Sequence, residues 1–410
     1  MNRPVKELQN TLYDVLIVGG GINGAALANL AAFNGLKAAL LEKGDFGSGT
    51  SSKSSKLLHG GLRYLENFEF GLVKEALRER AIQLRSAPRF ARPLGFIVPV
   101  YKDSPRPLWM VKLGIKIYDW LSGKFLIRPC RALTAAEIVK MSPGLRRDGL
   151  LGGVLYFDAQ VDDRGLCVAN AASAQYQGAH VVDHLKVKSF WRENGKTVGV
   201  VAVDLLHPDR PVFSVRAKQV VVAAGPWTNG IMRTDNRDSP VKVRTTKGAH
   251  LVYDHIFSEH ALLLQAKGDG RIFFVIPWQG RTLIGTTDTD YTGDPDAVEA
   301  DQDDINYLTG ELGRFFPDFK WDPAKMTESF AGLRPLVSQS GRPSGVSRKH
   351  VIERSFSGVI YVIGGKYTTY RKIAEDALRA FVPGKLADTS KIYPLFPENV
   401  PRKDSAAPER

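Results

Sequence analysis

Tyr13-Asp-Val-Leu-Ile-Val-Gly-Gly-Gly-Ile-Asn-Gly24 is the stretch that decides the fold. Tyr13 to Val18 is a short, apolar, β-branched run; the glycines after it form Gly19-x-Gly21-x-x-Gly24, and an alanine-rich segment from about Ile22 to Phe33 reads as helix. Strand, turn and helix in that order suit a dinucleotide. Glycine lets the backbone turn tightly and approach a pyrophosphate, and the helix directs its unpaired N–H groups and positive dipole end at the phosphate charge. A second apolar run, Lys37 to Leu41, ends in Glu42, 18 residues after Gly24, where a carboxylate accepts hydrogen bonds from the adenosine ribose. A GxGxxG alone is a weak signal that a chance glycine cluster imitates; inside a complete βαβ unit it is strong. The unit does not separate FAD from NAD, because both carry the groups it reads.

Beyond this unit, helical patterning returns near Phe70 to Arg85, and prolines at 88, 93, 99, 105 and 107 then break the chain into loops and short extended pieces. Asp163 to Tyr176 reads as helix, and Ala217 to Ala224 as a buried strand that ends in Gly225-Pro226-Trp227. From Val241 to Asp288 the pattern is β, with strands at 248–254, 271–278 and 281–288. Val359 to Ile363 is a further strand, and its glycine turn opens a helix from about Thr368 to Phe381. The fold expected is α/β: a Rossmann-like nucleotide-binding domain from segments 12–84, 150–235 and 330–382, and a second, largely antiparallel β domain from 85–149 and 236–329. Residues 383–410 read as a polar, proline-rich C-terminal tail.

A chain of 410 residues with a formal net charge of +13 favours anionic partners: phosphorylated small molecules, an acidic membrane surface or nucleic acid. No nucleic-acid-binding signature accompanies the charge, so nucleic acid is not expected. Only Cys130 and Cys167 occur, without a CxxC or a Cys/His cluster, so neither a disulfide framework nor a metal site is expected. The first ten residues lack an apolar core, and no uninterrupted apolar run spans a bilayer, which favours a cytoplasmic setting. Residues 72–131 hold 13 Lys and Arg against four Asp and Glu. Within them Pro107 to Leu121 reads as a helix with Lys112, Lys116 and Asp119 on one stripe and Trp109, Leu113, Ile117 and Trp120 elsewhere around it. That pattern fits either an ordinary core helix or one lying on an anionic bilayer.

Thr50-Ser-Ser-Lys-Ser-Ser-Lys-Leu-Leu-His-Gly-Gly-Leu-Arg-Tyr64 places hydroxyls, amides and cations where an NAD domain continues with βα units, and so favours FAD. Read with Ala224-Gly-Pro-Trp227, Pro277-Trp278, Ile284-Gly-Thr-Thr-Asp288, Gly332-Leu-Arg-Pro-Leu336 and Gly364-Gly-Lys-Tyr-Thr-Thr-Tyr-Arg-Lys372, it resembles the FAD-dependent, respiratory-type glycerol-3-phosphate dehydrogenases, within the D-amino-acid-oxidase-like fold family. The likeness runs from about Tyr13 to Phe381 in the family's order.

The resemblance implies that Gly19, Gly21, Gly24, Glu42, Thr50, Ser51, Ser52, Lys56, His59, Gly225, Gly365 and Lys366 hold FAD. It implies that Arg63, Tyr64, His250, Arg334, Lys366 and Thr368 surround a small phosphorylated alcohol, sn-glycerol 3-phosphate, with His250, Arg334 and Lys366 as catalytic residues. Those residue types suit the chemistry. A phosphate monoester needs charge-assisted donors, for which the planar guanidinium is matched. Oxidising a secondary alcohol removes a hydroxyl proton as hydride leaves carbon, so a nearby base contributes roughly 10²–10⁴-fold. A cation beside the same oxygen stabilises alkoxide charge. The helix near Thr368 is expected to aim its N-terminus at the flavin ring.

The resemblance further implies a quinone acceptor and peripheral docking on the inner face of the cytoplasmic membrane. An oxidase passing electrons to oxygen, a related 2-hydroxy-acid or amine oxidoreductase, and a non-catalytic flavin-binding module are the alternatives. Two departures stand out: many relatives continue into a further helical domain after the last flavin helix, and Tyr367 replaces a smaller aliphatic residue, with bulk that narrows a substrate pocket. The first leaves the oligomeric state open.

Overall fold

The computed structural model describes residues 3–65, 68–235, 242–337, 349–391 and 393–396, with the backbone alone at Arg63. Two sheets carry the chain. In the first, strands Leu12–Val18, Ala38–Leu41, His180–Val182, Phe213–Val222 and Ile360–Gly364 run parallel, in the order 360–364, 213–222, 12–18, 38–41, 180–182. Helices cover a parallel sheet, so its strands are buried almost throughout; Ala38–Leu41 has no exposed residue. Helices Ile22–Phe33, Asp163–Tyr176 and Tyr370–Arg379 contribute Ala25, Ala28, Ala171, Ala174 and Ile373 to the core on one face. Alanine brings the backbones close. The antiparallel ribbon Leu185–Glu193 and Lys196–Asp204 extends the sheet beside Phe213–Val222.

The second sheet is antiparallel except where Ala261–Gln265 meets Ala91–Tyr101. It carries the expected strands Val243–Tyr253, Ile272–Trp278 and Arg281–Gly285. Leu150–Val161 and Met326–Val337 also pair into it, although segments 150–235 and 330–382 place those residues wholly or partly with the nucleotide domain. Hydrogen bonding, rather than chain order, decides sheet membership here.

Two local expectations are corrected, and one helix left open by its pattern is oriented. Ala91–Tyr101 is one strand of 11 residues, not proline-broken pieces. Its parallel neighbour pairs only at Phe96 and Ile97, so Pro93 and Pro99 lie where a missing N–H costs no bond on that side. Helix Leu108–Ser122 buries Ile115, Tyr118 and Ser122, while Trp109, Leu113 and Trp120 are 63%, 50% and 77% exposed. The apolar stripe therefore faces outward beside Lys116. Finally, the segment after Pro383 is no loose tail up to Phe396: Leu386, Tyr393 and Leu395 are buried, and Asn29 Nδ2 donates to Pro394 O at 2.7 Å. Residues 397–410 lie outside the described residues.

Candidate active site

A cleft of about 1730 Å³ lies between the two sheets. It exceeds the roughly 300–1,000 Å³ that holds a drug-sized ligand, a volume that suits a dinucleotide with a second small molecule. One part of its wall is built from backbone. Gly19, at φ +108°, has no room for a side chain, since a Cβ would lie 2.6 Å from Ala223 O. Gly21 caps helix Ile22–Phe33, and Ile22 N donates to Ser51 Oγ at 2.9 Å, so Ser51 satisfies one of the first helical amides. Glu42 accepts from Gly20 N at 2.5 Å and Gly44 N at 2.8 Å, which ties the glycine turn to the end of the second strand. Thr50 Oγ1 donates to Leu333 O at 2.6 Å and ties the serine-rich segment to the second sheet. Gly225 and Gly365, both at positive φ, also line the cleft.

Three expected cofactor residues do not line it. Gly24 sits behind the turn, where a Cβ would lie 1.9 Å from Gly19 O; its smallness lets the helix pack on the strand end. Among the described residues Ser52 Oγ reaches only Ser48 O at 3.4 Å and Gly49 O at 3.5 Å. Lys56 is buried, with Nζ 2.8 Å from Asp163 Oδ1 and 2.6 Å from Ser52 O, and so braces the serine-rich segment against helix Asp163–Tyr176. Burial pushes the Asp163 carboxyl up against the pull of Lys56.

The other part of the wall is built from side chains on distant segments. His250 comes from strand Val243–Tyr253 and Arg334 from Met326–Val337; these strands pair, with Thr246 opposite Arg334. Arg334 donates to Asp288 Oδ1 at 3.0 Å, Thr286 Oγ1 at 2.9 Å and Thr287 O at 3.1 Å. A Cβ on Gly248 would lie 2.3 Å from its Nη2, which explains a glycine in that strand. The His250 ring stacks on Phe330 with centroids 5.1 Å apart, and Nε2 lies 2.8 Å from Ser55 Oγ. Its Nδ1 is buried with no hydrogen-bond partner among the described residues. Burial, then the charges of Arg334 and Lys56, hold the imidazole pKa down at about 3, so His250 is neutral at neutral pH.

Lys366 Nζ lies 3.7 Å from the centroid of the Tyr64 ring, close enough for a cation–π contact. Both line the cleft, with His59 and Thr368. Thr368 Oγ1 accepts from His59 N at 3.2 Å, and Gln83 Nε2 donates to Thr368 O, so the turn Tyr367–Thr369 before helix Tyr370–Arg379 is held against the His59 segment. Tyr367 lines the cleft too, but its hydroxyl reaches out to Asp163 O at 2.5 Å. The Arg63 side chain lies outside the described residues. Asp288 and Ser55 also line the cleft; each stands in a quoted motif but pairs with its partner only through the fold.

Exposed Phe68, Phe70, Met110 and Leu113 form an apolar rim to the same cleft. Among the described residues no helix is long and apolar enough to cross a membrane.

The model of the FAD dependent oxidoreductases matches residues 14–371. A glycerol-3-phosphate dehydrogenase of Synechocystis sp. is 38% identical, covering 97% of this chain and 75% of that protein. The aerobic glycerol-3-phosphate dehydrogenase of Bacillus subtilis is also 38% identical, over 91% of this chain and 67% of the relative. Among solved structures, the glycerol-3-phosphate dehydrogenase of Bacillus halodurans complexed with FAD superposes with a TM-score of 0.78 at 31% identity, covering 95% of this chain and 69% of that one. The chain thus spans 67–75% of the lengths of these proteins. It belongs to the FAD dependent oxidoreductases and, within them, to the FAD-linked glycerol-3-phosphate dehydrogenases.

Proposed function

We propose that the chain oxidises sn-glycerol 3-phosphate to dihydroxyacetone phosphate and that the electrons pass to a quinone. The observation that carries this reading is one cleft whose wall joins a backbone cradle for a dinucleotide to Tyr64, His250, Arg334 and Lys366. When bound there, FAD supplies the hydride acceptor, flavin N5. Gly19 and Gly21 present the backbone that the pyrophosphate would approach, and Glu42 lines the wall where the ribose would lie. Thr50, Ser51, His59, Gly225 and Gly365 complete the cofactor wall, with Gly24, Ser52 and Lys56 acting behind it.

Arg334 and Lys366 supply positive charge for the phosphate and for the alkoxide that forms as hydride leaves. Arg63 adds a third cation to the same segment as Tyr64. His250, neutral and so free to accept, takes the hydroxyl proton directly or through Ser55, its basicity rising as the substrate phosphate offsets the charges of Arg334 and Lys56. Thr368 holds the turn that presents Lys366. On this reading the first sheet is the FAD unit and the second shapes the substrate side.

Membrane docking is part of the proposal. The outward face of Leu108–Ser122, with Trp109, Leu113, Lys116 and Trp120, is an apolar and basic surface beside the cleft rim, suited to lying on anionic lipid and admitting an apolar acceptor. The same reading puts the chain peripherally on the inner face of the cytoplasmic membrane.

The visible spectrum tests the reaction. Glycerol 3-phosphate bleaches the bound flavin; bleaching by a 2-hydroxy acid or an amine, but not by the phosphate ester, overturns the substrate. Quinone reduction without stoichiometric peroxide separates the dehydrogenase from an oxidase. Flotation with anionic vesicles at low salt tests docking, and no binding removes it.

A further inference from the structure

Arg80, Tyr118 and Asp158 are each 1% exposed or less, and none has a role in the chemistry above. They form one network. Arg80 Nη1, from helix Phe70–Ser86, donates to Asp158 Oδ1 at 2.6 Å, and Nη2 donates to Phe125 O at 2.9 Å just beyond helix Leu108–Ser122. Tyr118 Oη, on the buried face of that helix, donates to Asp158 Oδ2 at 2.8 Å. The same hydroxyl accepts from Gly60 N at 2.8 Å. Two helices, strand Leu150–Val161 and the His59-Gly60-Gly61 segment therefore meet at one buried carboxylate.

Burying such an ion pair costs several kcal/mol per charge, which close pairing and further hydrogen bonds offset; a packed apolar cluster of equal volume would stabilise the fold at least as well. What the polar network adds is direction. Gly60 presses on it so closely that a Cβ would lie 2.4 Å from Tyr118 Oη. Gly61, at φ +79°, follows, and a Cβ there would lie 2.2 Å from the Tyr64 ring. Tyr64 in turn lies under Lys366 Nζ. Fixing Gly60 N thus fixes the turn that sets the Tyr64 ring and, against it, the lysine.

We propose that Tyr118 and Asp158, clamped by Arg80, are positioning residues that hold the Gly60–Tyr64 segment so that Tyr64 and Lys366 face the phosphorylated substrate. The substrate half of this inference rests on the reading above; the positioning half does not. Tyr118→Phe keeps the ring and its packing but removes the donor to Asp158 and the nearer acceptor for Gly60 N, leaving it the longer contact to Asp158 Oδ1 at 3.4 Å. In the FAD-loaded protein, amide hydrogen exchange across residues 60–65 should rise about tenfold, the worth of one hydrogen bond of roughly 1.4 kcal/mol, while exchange along 108–122 and 150–161 is unchanged.

The KM for glycerol 3-phosphate should rise about tenfold at a kcat within about twofold, because substrate placement rather than the hydride step is lost. Unchanged exchange across 60–65 overturns the proposal, as does exchange that rises equally along the helix and the strand, the mark of a merely structural role. Exchange involves no substrate, so a wild-type flavin that glycerol 3-phosphate fails to bleach sinks the substrate reading and leaves the hub to be judged by exchange alone.

Discussion

The two parts of the cleft wall are built by opposite means. The cradle around Gly19, Gly21 and Glu42 is a backbone surface held by short local contacts: amides of Gly20 and Gly44 close on the Glu42 carboxylate, Ile22 N on Ser51 Oγ, and the glycines contribute by what they lack. The part around His250, Arg334 and Lys366 is made of long side chains from three distant segments, each held by partners such as Asp288, Ser55 and the Tyr64 ring. A backbone site is local and tolerates change in most side chains but not in its glycines. A side-chain site is sensitive at every charged group, because each buried charge relies on a specific partner.

If this contrast is right, Arg334→Ala should have the largest effect: kcat/KM falls by roughly 10³-fold, on the order of 4 kcal/mol, while FAD affinity stays within about threefold. Steady-state kinetics and flavin titration check it together, and an equal loss of FAD would erase the distinction between the two parts. Arg334→Lys should recover little, since a single ammonium does not reproduce a fork that meets Asp288, Thr286 and Thr287.

Gly24→Ala should do the reverse. Its Cβ would lie 1.9 Å from Gly19 O, so the helix must shift off the strand. FAD affinity is expected to fall about 10²-fold, read from flavin fluorescence released on dilution, with substrate KM nearly unchanged in the fraction that stays loaded. Retention of normal FAD affinity would show that the cradle is more plastic than its contacts suggest.

His250→Gln sharpens the side-chain half. The expected loss in the rate of flavin reduction is roughly 10²-fold. The variant also carries a stability signature. The folded-state pKa of about 3 lies below the ordinary 6.5, so between those values the unfolded chain binds a proton that the folded chain does not. Stability from this group is complete above pH 6.5 and declines as pH falls toward 3, by up to roughly 1.4 kcal/mol per pH unit. Urea unfolding of wild type and variant across that window should diverge by this slope; parallel curves would mean that His250 is not held neutral.

The smallest effect is expected at the outward helix. Trp109→Ser with Trp120→Ser should weaken binding to anionic vesicles about tenfold and leave flavin reduction by a soluble substrate within about twofold. Unaltered vesicle binding would place any docking surface elsewhere.

How much of this was legible varied with range. The strand, glycine turn and helix at residues 12–33 were plain, because each is specified by neighbours in sequence. Ala91–Tyr101 was not, since prolines read as breakers unless the partner strand's short pairing span is known. The Leu108–Ser122 helix was visible as a pattern, but its orientation depended on Tyr118 finding Asp158 in the core and so turning Trp109, Leu113 and Trp120 outward. Lys56 reads from its motif as a cofactor residue; only Asp163, more than a hundred residues away, makes it a brace. The docking of Tyr393 and Leu395 carried no periodic signal at all.

Sequence alone determined the dinucleotide cradle and the α/β class, because glycine spacing and short apolar periods act over a few residues and survive in any surrounding; the motifs between Thr50 and Lys372 added the resemblance to flavin-linked oxidoreductases. Tertiary structure decided which charges are spent and which face the cleft. Arg334 is oriented at the cleft wall by Asp288, Lys56 is spent on Asp163 away from it, His250 is stripped of its charge by burial, and Gly60 is fastened to Tyr118. Pairing and desolvation depend on groups brought together from far along the chain, and those distances exist only once it has folded.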